Sequence, residues 1–137
     1  MKIPLKKETT IMVEHATILK LWIQLNIPRI EDGNNFGVQV QEDMLTNLIK
    51  AEENAFAATD YLAKYHHARA KLIVKASKNP EVEDYIQTIH ELDEKCYADM
   101  LMTLRDLRNN YAVLYDTLSK NLDKIQKPRS SHTSAMF

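Results

Sequence analysis

Glycine is scarce in this sequence, and its placement limits what the chain can fold into. Only two of the 137 residues are glycines, and both lie in one ten-residue segment, residues 28–37 (PRIEDGNNFG). An average protein contains about 7% glycine. Because glycine reaches positive φ without steric cost, a chain with so few glycines has little capacity for tight turns. We therefore predict an all-α protein whose irregular backbone is concentrated in residues 28–37.

Three long helices are predicted around this segment. In chain order they cover residues 4 or 10 to 27, residues 38–76, and residues 80–127, the last with Asn79 as its cap and Pro80 in its first turn. The third helix carries the strongest periodic signal, an unbroken series of positions that step by three or four. These positions are Tyr85, Ile89, Leu92, Cys96, Met100, Leu104, Leu107, Tyr111, Leu114, Leu118, Leu122 and Ile125.

The short connections predict how the helices are arranged. Long helices joined by short turns form an antiparallel bundle with up-down topology. We expect one helical domain, residues 1–128, followed by a flexible C-terminal tail, residues 129–137. Residues 28–37 and the tail then emerge at the same end of the bundle, where they can form one composite binding face. The first helix is apolar around most of its circumference, so it needs more than one neighbour.

Composition excludes several classes of function. A net charge of −1 gives no basic face for nucleic acid. A single cysteine cannot form an internal disulfide and favours a reducing compartment. No apolar run is long enough for a membrane span, and the N-terminus lacks a secretory signal. We expect a protein of the nucleus, the cytoplasm or both, with no nucleic-acid or membrane partner.

The sequence contains no pattern that indicates catalysis, a metal or a cofactor. His66 and His67 are adjacent, so on a helix they point about 100° apart and cannot chelate one ion. Residues 90–94 (HELDE) lack the second histidine of a zinc motif. Cys96 lies on the apolar face of the third helix and is expected to be a core residue.

Residues 28–37 allow two interpretations. The bland one is a turn that reverses the chain within a non-catalytic helical scaffold or oligomerisation protein. The other is a loop that presents a surface, since Ile30 and Phe36 are large apolar side chains between turn-forming residues. Loops longer than a connection requires often carry function.

A resemblance to a known family favours the second interpretation. Residues 27–38, preceded by Trp22, Ile23 and Gln24, resemble the activation-loop signature of the 11S proteasome activators, also called the REG family. The similarity continues through residues 82–85, 90–94, 107–109, 111–116 and 120–129, and it covers nearly the whole chain, from about Ile11 to the end. The segment KPRSS at residues 127–131 is most similar to the gamma-type member.

The resemblance implies a regulator of a peptidase and not an enzyme. Family members form rings of seven subunits that dock on the α-ring of the 20S proteasome and open its gate without ATP. The activation loop maps onto Arg29, Ile30, Glu31, Asp32, Gly33, Asn34, Asn35, Phe36 and Gly37, and activation is centred on Asn34. The docking tail maps onto Ser134, Ala135, Met136 and Phe137. The expected partners are the 20S proteasome and other subunits, as a homoheptamer or a hetero-oligomer with a related subunit.

Two departures from the family pattern are visible. Family members are four-helix proteins, and this chain begins within their second helix, so an apolar surface is expected to be exposed unless an oligomer covers it. The final residue is Phe137, where family tails often end in tyrosine. The carboxylate and the aromatic ring are kept, and the hydroxyl is lost.

Overall fold

The computed structural model describes residues 5–129 and contains three long helices. They are α1 (Leu5–Leu25), α2 (Phe36–Lys78) and α3 (Glu83–Gln126). At 1.5 Å per residue they are about 31, 64 and 66 Å long. No strand occurs among the described residues, so the predicted all-α fold is confirmed. Of the helices within residues 5–129, none has both the length and the apolar character needed to cross a bilayer.

The helix ends differ from the prediction in ways that have local causes. α1 ends at Leu25, before the predicted Ile27, because the Asn26 side chain donates to the Trp22 carbonyl oxygen (2.8 Å). α2 begins at Phe36, two residues before the predicted start, since the Gln39 N–H already donates to the Asn35 carbonyl oxygen (3.0 Å).

The turn between α2 and α3 corrects a second prediction. Asn79 caps the C-terminus of α2 and not the start of α3: its backbone N–H and its side-chain amide both donate to the Lys75 carbonyl oxygen (3.1 and 3.0 Å). Asparagine can satisfy either end of a helix, so the residue type alone did not decide between them. Pro80 consequently lies in the turn, and α3 begins at Glu83 after the cap residue Val82.

The core lies along α2, which packs against α1 on one side and α3 on the other. Three alanines of α2, Ala51, Ala55 and Ala58, are buried, and their small side chains allow neighbouring helices to approach closely. The main cluster of buried residues comprises Met12, Ala16, Ile23, Met44, Leu48, Ala51, Ala55, Leu107, Leu114 and Ile125.

The predicted apolar face of α3 is confirmed. Of its twelve positions only Leu122 is exposed (40%), and Cys96 is 1% exposed, as expected of a core residue. Burial raises the pKa of the Cys96 thiol.

α1 covers only half of the bundle. Thr9, near its N-terminus, has its hydroxyl oxygen 3.5 Å from that of Thr59, and α1 extends only four residues further, to Leu5. Among the described residues, α3 is therefore the neighbour of most of the second half of α2. There the two helices are joined by polar contacts: Tyr61 donates to Asp99 (2.7 Å) and Tyr65 to Asp93 (2.8 Å). Arg69 also donates to Asp93 (2.8 Å).

The outward face of α1 remains apolar and exposed. Ile18, Leu21 and Leu25 are 66%, 57% and 77% exposed. Between α1 and α3 lies an apolar groove of about 370 Å³, lined by residues that include Met12, Leu19, Tyr115 and Leu118. The expected exposed apolar surface is therefore present.

Candidate functional site

The loop between α1 and α2 has an irregular backbone at its apex. Gly33 and Asn34 follow one another with φ of +81° and +46°. Glycine is suited to this left-handed region, and asparagine is among the residues that tolerate it best. A Cβ added at Gly33 would meet no atom within 4 Å. Gly33 is therefore required by its φ angle and not by lack of space.

The loop presents its side chains to solvent. Of the nine predicted loop residues, Arg29 to Phe36 are exposed and only Gly37 is buried. Ile30 is fully exposed and does not hold the loop in shape. Phe36 is the first residue of α2, and the Lys124 ammonium of α3 lies 4.8 Å from the centre of its ring.

Gly37 lies where the start of α2 touches the end of α3. A Cβ at this position would overlap the backbone of Pro128 and lie 2.6 Å from its carbonyl carbon. Only glycine allows this approach, because the obstructing atoms belong to backbone and not to a flexible side chain. The start of α2 and Pro128, which lies two residues beyond the end of α3, are thus held in direct contact.

Gln41 ties two helix ends together from inside the bundle. Its side chain is fully buried, and its Nε2 donates to the carbonyl oxygens of Asn26 (2.9 Å) and Ile125 (2.8 Å). These carbonyls lie at the C-terminal ends of α1 and α3, where helices leave carbonyl groups without intrahelical partners. Gln41 therefore holds the C-terminal ends of α1 and α3 in place beside α2, next to the loop.

Arg129, the residue after Pro128, contacts both arms of the loop. Its Nη1 donates to the Arg29 carbonyl oxygen (2.7 Å), and its Nη2 donates to Asn35 Oδ1 (3.2 Å). Nη1 also lies 3.3 Å from Glu31 Oε2, and the Arg129 side chain is only 18% exposed. The base of the tail and the loop consequently occupy the same end of the bundle.

Sequence reasoning found the loop but not the residues that support it. The four predicted docking residues, Ser134, Ala135, Met136 and Phe137, lie outside the described residues. Gln41, Pro128 and Arg129 were given no role in shaping the loop. For Gln41 a signal existed: it precedes Met44, Leu48, Ala51 and Ala55 at helical spacing, a polar side chain in an apolar row. Within residues 5–129, no group of three or more histidine, cysteine or acidic side chains could hold a metal ion.

Comparison with known proteins identifies the family. The family described as "Proteasome activator PA28, C-terminal" matches residues 1–135 of the chain. This chain belongs to the PA28 family. The predicted resemblance to the 11S activators is therefore confirmed.

The relatives of this PA28 chain are activator subunits. It is 43% identical over 132 residues to proteasome activator complex subunit 3 of Homo sapiens and of Mus musculus, which covers 96% of this chain and 52% of each relative. These relatives are regulators of a peptidase and not catalytic enzymes. The match to subunit 3 agrees with the gamma-type resemblance of the tail.

A solved structure has the same fold as this PA28 chain. The crystal structure of the 11S subunit of the Plasmodium falciparum proteasome, PA28, superposes with a TM-score of 0.86 at 47% identity. The match covers 92% of this chain and 56% of that chain. The chain thus spans about half the length of the relatives it matches.

Proposed function

We propose that this chain is a subunit of an ATP-independent activator of the 20S proteasome. The observation that carries the proposal is the contact between Arg129 and the loop. Arg129 precedes the C-terminal Phe137 by eight residues. One end of the bundle therefore carries an exposed, shaped loop and the first residue of the segment that we propose as the anchor, which is the arrangement that docking and gate opening require.

In this proposal the tail, Ser134 to Phe137, docks between α-subunits of the core particle. Eight extended residues beyond Arg129 can reach at most about 28 Å, which is enough to enter a pocket beside the loop. A short segment that becomes ordered on binding gives weak affinity by itself. Several tails on one ring bind as a multivalent unit, which raises avidity by orders of magnitude.

The loop has a different task, which is to displace part of the core particle. A ligand shifts an equilibrium only by its differential affinity for the two states, so the loop must contact the open gate better than the closed one. Arg29, Glu31 and Asp32 offer charged contacts, and Asn34 lies at the apex, where φ is positive. A loop that is held at both arms can displace part of the core particle, whereas a flexible turn would itself change shape.

We propose that the subunits form a ring, with a homoheptamer as the first candidate and a hetero-oligomer with a related subunit as the second. The exposed apolar side chains of α1 support self-association, because monomers rarely expose such patches. Rotational symmetry that matches the α-ring would let all tails bind together. The single cysteine suits a reducing compartment, and we propose the nucleus or the cytoplasm.

The alternative is a helical scaffold or oligomerisation protein without proteasome activity. The same apolar face of α1 and the groove beside α3 favour it. The two proposals differ over the loop. A scaffold tolerates the replacement of residues 29–36 by a plain turn, and an activator does not.

Two variants separate docking from activation. Asn34→Tyr should keep binding to the 20S core particle, because the tail is intact, and should abolish stimulation of peptide hydrolysis in the absence of ATP. Deletion of residues 135–137 should abolish binding and stimulation and keep the oligomer. Lys64→Ala is a matched control, since Lys64 is exposed on the half of α2 away from the loop.

Native mass spectrometry with and without core particle measures assembly and docking, and a fluorogenic peptide measures stimulation. Loss of docking in Asn34→Tyr would contradict the division between anchor and loop. Full stimulation by the truncated chain would refute the role of the tail. An oligomer that neither binds nor stimulates the core particle would favour the scaffold.

A further inference from the structure

The loop is held from outside its own sequence. Within residues 5–129, the side-chain hydrogen bonds and ion pairs made to residues 28–35 all come from Arg129. Ile30 is fully exposed, and the other large apolar side chain, Phe36, belongs to α2. The loop therefore has no small core of its own to define its shape.

The two hydrogen bonds of Arg129 cross the mouth of the loop. Nη1 bonds to the backbone of Arg29, where the chain leaves α1, and Nη2 bonds to Asn35, the cap residue of α2. Both donors belong to one planar guanidinium, so the distance between the two arms is set by a rigid group. The contact with Glu31 contributes little, because Glu31 is 67% exposed and surface ion pairs are weak.

Arg129 is itself placed by buried structure. It follows Pro128, whose backbone rests against Gly37. The last turn of α3 is secured by Gln41, which donates to the Ile125 carbonyl oxygen (2.8 Å), and by the Lys127 N–H, which donates to the Asp123 carbonyl oxygen (2.8 Å). The position of the guanidinium thus depends on the ends of all three helices and not on a free tail.

We propose that Arg129 is a positioning residue that closes the mouth of the activation loop and sets how Asn34 is presented to the core particle. The closure follows from the contacts on this chain, and its consequence for gate opening rests on the proposed function. Because Arg129 also begins the tail, the anchor and the loop form one mechanical unit. When the tail docks, it then also sets the distance between the loop and the surface of the core particle.

The test compares Arg129→Ala, Arg129→Lys and the control Lys127→Ala in the full chain. Lysine keeps the charge but has no planar fork, so it should resemble alanine more than arginine. Lys127→Ala removes the same charge two residues away, from an exposed side chain that forms no hydrogen bond or ion pair with the loop among the described residues. Asn35→Ala removes one partner of the fork and leaves the base of the tail untouched.

Hydrogen–deuterium exchange of the Gln39 amide reports closure without any proteasome, because this N–H donates to the carbonyl oxygen of Asn35, the residue held by Arg129. We expect Arg129→Ala to exchange at least about tenfold faster at Gln39, the size expected for one lost charge-assisted hydrogen bond. Arg129→Lys and Asn35→Ala should lie between this variant and the parent chain. Amides in the middle of α2 should be unchanged, which a general loss of stability would not allow.

Docking and stimulation then test the functional consequence. Arg129→Ala should bind the core particle within about twofold of the parent and lose most of its stimulation, whereas Lys127→Ala should match the parent in both. Unchanged exchange of the Gln39 amide in Arg129→Ala would overturn the closure. Faster exchange with full stimulation would overturn the positioning role. If the parent chain itself does not stimulate, the proposed function fails, and exchange at Gln39 still decides whether Arg129 closes the loop.

Discussion

Replacement of Gly37 by alanine tests how closely the loop and the base of the tail are joined. The added Cβ would lie 2.5 Å from the Pro128 Cα and closer still to its carbonyl oxygen, while ordinary contact begins at 3.4 Å. The Pro128 backbone would have to retreat by more than about 0.9 Å, and overpacking of this kind costs about 1–3 kcal/mol. Alanine gains about 0.5–1 kcal/mol over glycine within a helix, so two opposing effects are present.

The steric clash should outweigh the gain in helix propensity. We expect a net loss of about 1–2 kcal/mol in the free energy of unfolding, which lowers Tm by about 2–8 °C in a chain of this size. Thermal and urea unfolding followed by circular dichroism measure this loss. Since the retreat also moves Arg129 away from Arg29 and Asn35, the Gln39 amide, which donates to the Asn35 carbonyl oxygen, should exchange faster.

Gly33→Ala provides the contrast. It has open space around the new Cβ and a φ of +81°, so its cost of about 1–2 kcal/mol comes from local backbone strain. It should leave the contact between Gly37 and Pro128 intact and the exchange of the Gln39 amide unchanged. If Gly37→Ala were as stable as the parent or more so, helix propensity would outweigh the clash, and the proposed rigid contact would be wrong.

Two further predictions concern the buried hydrogen bonds of Gln41 and the ion pair between Lys20 and Glu52. Gln41→Met keeps the side-chain volume but leaves the Asn26 and Ile125 carbonyl oxygens without their buried donor, so we expect unfolding to require about 2–4 kcal/mol less, measured by urea denaturation, with Gln39→Met as the exposed control. The hydrogen bond from Lys20 holds the pKa of Glu52 below its usual value of 4.5, and Thr17 adds to it. A carboxyl group whose pKa is lower in the folded state stabilises the fold at pH values above its unfolded-state pKa, and this stabilisation is lost as the pH falls through its folded-state pKa. The free energy of unfolding of the parent should therefore fall below about pH 4.5, and that of Glu52→Gln should fall less. Equal slopes for both chains under acid unfolding would contradict the assignment to Glu52.

The fold could be predicted because its signals are local and periodic. The series from Tyr85 to Ile125 steps by three or four, which defines one buried helix face without knowledge of its partner. Gly33 and Asn34 marked the irregular backbone because few residue types tolerate positive φ. Asn79 was misplaced because its amide can satisfy either helix end.

The support of the loop could not be predicted from local patterns. Arg129 and Arg29 are separated by 100 positions, and Gln41 and Ile125 by 84. A pairing over such a distance depends on where three helix ends meet in space, and no spacing rule encodes it. Basic residues near the C-terminal end of a helix are also explained by the helix dipole. The sequence therefore offered no reason to assign Arg129 a specific contact.

The short length of α1 divides the molecule into two regions of unequal rigidity. Where α1 lies beside α2, three helices share an apolar core, and where it does not, Tyr61, Tyr65 and Arg69 join two helices through half-buried polar bonds. Sub-global opening begins where buried apolar contacts are fewest. Among the described residues, the part that carries Asn34 is thus the stiffer part, and a push delivered there is resisted by the best-packed portion of the chain.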